Sequence, residues 1–150
     1  MSKTILMHFL DNKILKLRKY DLFINHNDEN DWIKLPNESI CAYPDMLIKL
    51  VNEEDENTFY MFLKNLNIVD NGNSIMVKSF SNIKFYKTSK QKENYKNLIK
   101  ITKSKISQLE ASLYLGLTID EIIELEALND KLYELELKQI LNLKEVEDYE

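Results

Sequence analysis

Tyr95, Ile99, Thr102, Ile106, Leu109 and Leu113 recur at spacings of four and three, and mixed odd and even positions cannot share one side of a strand. This heptad-like seam predicts an α-helix that needs an apolar partner. The next residues supply one. Leu115-Gly116-Leu117-Thr118 holds one of only two glycines in the chain, where a left-handed helix stop is expected. Glu121 follows Thr118 at the spacing of a capping box. Ile122, Leu125, Leu128, Leu132 and Leu135 then form a second apolar face. Residues 91–116 and 118–142 are therefore expected to close as an antiparallel helical hairpin.

The two predicted helices carry opposite charge. Residues 84–105 hold eight lysines against Glu93, and residues 118–150 hold eleven acids against Lys131, Lys138 and Lys144. Exposed ion pairs contribute only about 0.2–1 kcal/mol each, so the leucines are expected to hold the hairpin and the charges to guide its pairing. After Leu143 the acidic tail is expected to fray.

The first part of the chain reads differently. Thr4–Leu10 and Lys13–Arg18 flank Asp11-Asn12, two residues that tolerate positive φ, and predict a β-hairpin. Leu22-Phe23-Ile24 and Trp32–Leu35 read as further strands around a polar loop at 25–31. Pro44 and Asp45 suit the first turn of a helix carrying Met46, Leu47, Leu50 and Val51. A second helix fits Phe59, Phe62, Leu63 and Leu66, with Glu53-Glu54-Asp55-Glu56 between the two. Asp70-Asn71-Gly72-Asn73 is a turn, and Ser74–Phe80 with Ile83–Lys87 reads as an antiparallel pair turning at Ser81-Asn82. The expected class is α+β: an antiparallel β-sheet with short helices near 44–66, plus a C-terminal antiparallel α-helical hairpin. The expected division is a 1–88 α+β domain and an 89–150 hairpin.

Composition narrows the chemistry. The 150 residues are 44% apolar and 30% charged, ordinary for a soluble protein, with a net charge of −5. That charge argues against nucleic acid as a general partner. No run approaches the roughly 18 apolar residues of a membrane span, and the start Met1–Leu10 lacks a signal-peptide cleavage site. A cytoplasmic location is expected. Cys41 is the sole cysteine, so no internal disulfide forms, and it sits beside no cation that would activate it. His8 and His26 have no ligand-spaced companions for zinc. Asp28-Glu29-Asn30-Asp31 lacks the glycine and distal glutamate of a calcium loop. Glycine patterns for phosphate binding and a nucleophile elbow are absent as well. No catalytic residue, metal or cofactor is nominated, and the protein is expected not to be an enzyme.

Two surfaces remain. Lys92, Lys96, Lys100 and Lys103, near Phe85, Tyr86 and Tyr95, are the residues nominated for nucleic-acid contact. A helix-turn-helix reading fails, because the would-be recognition helix carries Asp120, Glu121, Glu124 and Glu126. The acidic helix itself is the nominated partner-binding element, through Glu121, Glu124, Glu126, Asp130, Glu134, Leu125 and Leu132.

Residues 98–137, with Leu115-Gly116-Leu117, Ile119, Ile122-Ile123 and the spaced leucines after them, resemble the terminal helical hairpin of small phage tail-region or baseplate-associated proteins. Members of that group commonly have a proline or aromatic residue where this chain has Thr118. The resemblance implies a viral, bacteriophage-type assembly protein that binds itself or a virion protein through the hairpin, as an oligomer or on a virion. The alternative is an anti-CRISPR-like inhibitor that binds a host defence nuclease as an acidic mimic of nucleic acid.

Overall fold

The computed structural model describes residues 3–92 and 94–150 and divides into two compact units, Met1–Thr88 with Glu145–Glu150, and Ser89–Lys144. Met1 and Ser2, which open the N-terminal apolar run, and Glu93, the lone acid of the lysine stretch, lie outside the described residues.

The first unit is a mixed sheet. Its strands are β1 (Thr4–His8), β2 (Ile14–Leu17), β3 (Tyr20–Asn25), β4 (Trp32–Lys34), β5 (Ile40–Asn52), β6 (Thr58–Asp70), β7 (Ser74–Lys78) and β8 (Phe85–Thr88). Their order is β2-β1-β7-β6-β5-β3-β4, with β8 hydrogen-bonded to β6. β1 and β2 pair antiparallel as expected, and Asp11 and Asn12 take φ of 59° and 56° in the turn. β3 and β4 are strands on either side of the polar loop as expected, and they pair antiparallel. Gly72 adopts φ +94° between β6 and β7, and its N–H donates to Asp70 Oδ1 at 2.8 Å.

The helices expected near 44–66 are two long strands instead. β5 and β6 pair antiparallel from Ile40↔Val69 to Val51↔Thr58, and the acidic run 53–56 is their turn. Leu47 and Ile48 are both fully buried, so β5 is covered on both faces and its apolar run is continuous. Phe62 matched a helical spacing with Phe59 only because it lies on the other face, edge-on to Tyr86 at 5.3 Å. The alternation also slips. Buried positions in β6 pass from 59, 61 and 63 to 66, 68 and 70 across Asn65, which takes φ 47°. By register Asn65 stands opposite Pro44, which has no N–H to give the ladder.

β7 and β8 do not pair with each other, contrary to the sequence expectation. β7 lies between β6, antiparallel, and β1, parallel, while β8 meets β6 at Tyr60↔Tyr86. The inner face buries Ile5, Met7, Leu17, Leu22, Ile48, Leu50, Phe59, Met61, Leu66 and Ile68 at 5% exposure or less. Each such side chain contributes about 1.5–3 kcal/mol relative to solvent. The tail does not fray. Tyr149 packs against Phe59, Phe85 and Tyr20, with ring centroids 4.9, 5.3 and 6.1 Å away. Its carbonyl accepts from Asn57 Nδ2 at 2.8 Å.

The second unit contains α1 (Lys96–Ala111) and α2 (Ile119–Leu141), joined through a 3₁₀ turn at Leu113–Leu115. The two helices pack on each other as the expected hairpin. A short strand, β9 (Leu143–Val146), runs across the boundary between units.

Candidate functional site

The hairpin is closed at its base by hydrogen bonds. Asn142, the left-handed cap of α2, donates through Nδ2 to the carbonyls of Ser89 at 2.7 Å and Gln91 at 3.1 Å. Its own carbonyl accepts from the Ser89 N–H at 2.9 Å. Tyr95 adds a second tie. Its hydroxyl donates to the Leu143 carbonyl at 2.7 Å, and its N–H donates to Gln139 Oε1 at 2.8 Å.

Along the stem the expected seam holds. Thr102 and Ile106 are buried, and Tyr95, Ile99 and Leu109 are half-buried, while their helical neighbours are exposed. On α2 the half-buried Leu125, Leu128 and Leu132 lead to buried Leu135. Thr102 spends its hydroxyl on the Leu98 carbonyl at 2.7 Å, which lets a polar side chain occupy the seam.

The tip departs from expectation. Leu113 and Ile122 were placed in the seam by spacing but are 55% and 46% exposed. With Tyr114 at 99%, Leu115 at 89%, Ile119 at 76% and Ile123 at 58%, they make six large apolar side chains within eleven residues turned to solvent. This solvent-facing group makes the tip the candidate site. The backbone beneath it is shaped by local caps and a turn. Ser112 caps α1 in a right-handed conformation, Gly116 follows the 3₁₀ turn with φ 82°, and nothing lies within 4 Å of where a Cβ there would stand. Thr118 and Glu121 form the full capping box, Thr118 Oγ1 accepting from the Glu121 N–H at 3.2 Å and Glu121 Oε1 accepting from the Thr118 N–H at 3.1 Å.

The nominated residues divide by this geometry. Glu121 is committed to the cap, and Leu125 and Leu132 lie in the half-buried seam. Glu124 and Glu126 are exposed beside the apolar tip, whereas Asp130 and Glu134 are half-buried further along α2. Lys92 precedes α1 and is exposed. Lys96, Lys100 and Lys103 are exposed at i, i+4 and i+7, so they share one stripe of α1. The tip group was missed because Leu113 and Ile122 sit at helical spacings that read as seam.

Elsewhere two charged side chains are set by their surroundings. The Lys49 ammonium lies 4.9 Å from the Phe23 ring centre and 4.7 Å from that of Trp32, and burial lowers its pKa. Asp70 is held below the ordinary carboxylate range. Burial acts to raise it, but the Lys3 ammonium at 2.7 Å and the Gly72 N–H outweigh that effect. Among the described residues no group of three His, Cys, Asp or Glu gathers to hold a metal ion. Nor is any helix of the described residues long and apolar enough to cross a membrane.

Comparison with known proteins places both units. Residues 4–84 match the UU051 N-terminal domain, and residues 96–146 match the family described as Uncharacterised protein UU051 C-terminal domain. The chain belongs to the UU051 family. It is 33% identical over 146 residues to Uncharacterized protein UU051 of Ureaplasma parvum serovar 3 (strain ATCC 700970), covering 91% of this chain and 84% of that protein. The first match spans β1 to β7 and the second spans α1, α2 and β9, so the exposed tip falls inside the second family domain.

Proposed function

We propose that this protein is a non-catalytic interaction subunit whose hairpin tip inserts into an apolar recess of a protein partner. One observation carries the reading: six large apolar side chains at the tip of a capped, base-clamped hairpin face solvent at 46–99% exposure. Their burial is the gain, and the capping box with the Asn142 clamp limits the ordering cost of binding. Asp120, Glu124 and Glu126 are exposed among them, so the recess that fits is rimmed by lysine or arginine. Such a subunit serves a cytoplasmic assembly, and the chemistry is the same whether the chain is cellular or phage-encoded.

Tyr114→Ser with Leu115→Ser tests this. The double variant should fold with unchanged helix content and lose co-purification with its native complex by about tenfold or more, as expected when interface anchors are removed. Retention of the same complex would refute the tip as the contact. The alternative, an inhibitor that imitates nucleic acid before a defence nuclease, puts the energy in the carboxylates. Glu124→Lys with Glu126→Lys and high salt would then abolish binding while the Ser variant kept it. Ile119, Ile122 and Ile123 among those acids favour the apolar reading, since a nucleic-acid groove rewards charge and offers little apolar surface.

A further inference from the structure

The sheet of the first unit carries a second exposed surface on the side away from its core. Register aligns it. Ile40 pairs with Val69, Val69 with Met76, Met76 with Leu6, and Leu6 with Lys16, so adjacent strands set these five residues in one row. Ile40 is 81% exposed, Val69 42% and Met76 40%, and Leu6 is half-exposed. The next row is Ala42, Asn67, Lys78, His8 and Ile14, with Ile14 56% exposed. None of these ten residues is acidic, in a chain with 25 Asp and Glu. Lys16 and Lys78 flank the apolar strip.

We infer that this sheet face docks a second protein, through a segment that presents an apolar ridge bordered by carboxylates. The apolar strip supplies the area, and the lysine border sets the charge of what fits. Nucleic acid is disfavoured because the two rows offer only two lysines to phosphate and a single ring, the His8 imidazole, to bases. A membrane surface is disfavoured because two lysines at about 1 kcal/mol each attract anionic lipid weakly. A second copy docked face to face is disfavoured because it would oppose like charges. A tip-to-face contact between copies, which would close a ring or grow a filament, would register as an adduct with a second copy. The protein is then bivalent, one contact through the hairpin tip and one through the sheet.

The test places photoreactive benzoyl-phenylalanine at position 76 or 69 of the full chain, in extract of the cells that encode it. The expected result is an adduct with a different protein from both positions, mapped to a segment whose apolar residues are flanked by Asp or Glu. Lys16→Glu with Lys78→Glu should reduce it about tenfold. Lys16→Gln with Lys78→Gln, confirmed folded by an unchanged melt, should give a smaller loss of the same sign. The adduct should persist in Tyr114→Ser with Leu115→Ser, which separates this contact from the tip contact. An adduct with a second copy, lipid or nucleic acid, no adduct, indifference to both charge changes, or loss with the tip variant would each overturn the proposal.

Discussion

The two ends of the hairpin are built by opposite rules. At the base Asn142, Tyr95 and Gln139 place their polar groups on backbone or side-chain partners within 3.1 Å. At the tip the large side chains have no such role, and Tyr114 and Leu115 are almost fully exposed. A chain that needed the hairpin only for stability would gain by making the tip polar, because exposed apolar groups invite association. The contrast teaches that the base and seam hold the structure while the tip adds little to it.

The largest way to break that contrast is to charge the seam. Leu125→Asp with Leu132→Asp puts carboxylates at half-buried positions and should cost about 3 kcal/mol or more. Circular dichroism should show most of the helical signal lost. The same double change therefore tests the fold, and the tip must be probed by other residues.

A reference point outside the hairpin comes next. Asp70 is almost wholly buried and paired with Lys3, so Lys3→Met should cost the first unit about 2 kcal/mol, less than a fully buried pair because Lys3 is 19% exposed. The native pKa of Asp70 is depressed. Its contribution is therefore present above the unfolded value of about 3.9 and is lost as pH falls through the native value. Acid melts followed by the Trp32 and tyrosine signals should show this dependence, and Lys3→Met should flatten it.

Smaller effects compare the two caps. Asn142→Ala removes two side-chain hydrogen bonds and a residue suited to φ 55°, and should cost about 1–2 kcal/mol. Thr118→Ala removes one half of the capping box and should cost about 1 kcal/mol. Chemical denaturation of each variant would check the order, and a costlier tip cap would reverse the comparison. Smallest of all, Tyr114→Ser with Leu115→Ser should change stability by less than about 0.5 kcal/mol, since neither side chain is buried.

Legibility in the sequence followed the range of each signal. Asp11-Asn12, Asn71-Gly72 and Thr118 with Glu121 act within a few residues, and the structure uses all three as read. The seam was visible because its period repeats. β5 and β6 were misread because burial on both faces removes alternation, and because the shift at Pro44 and Asn65 breaks what remains. The parallel pairing of β1 with β7 joins residues about seventy apart, and no local pattern announces it. The outer-face row Ile40–Val69–Met76–Leu6 was hidden for the same reason, since it exists only once four strands are in register. At the tip, helical spacing showed which residues were apolar but not where the partner helix stops covering them.

Tyr149 lies in the first unit's aromatic cluster, although the whole second unit, Ser89–Lys144, intervenes in sequence. Synthesis from the N-terminus therefore makes the sheet, then the hairpin, and only afterwards the ring that completes the sheet's core. Until Tyr149 is added, Phe59 and Phe85 each lack one aromatic neighbour. A ribosome stalled before residue 149 would hold a sheet still short of its last aromatic ring.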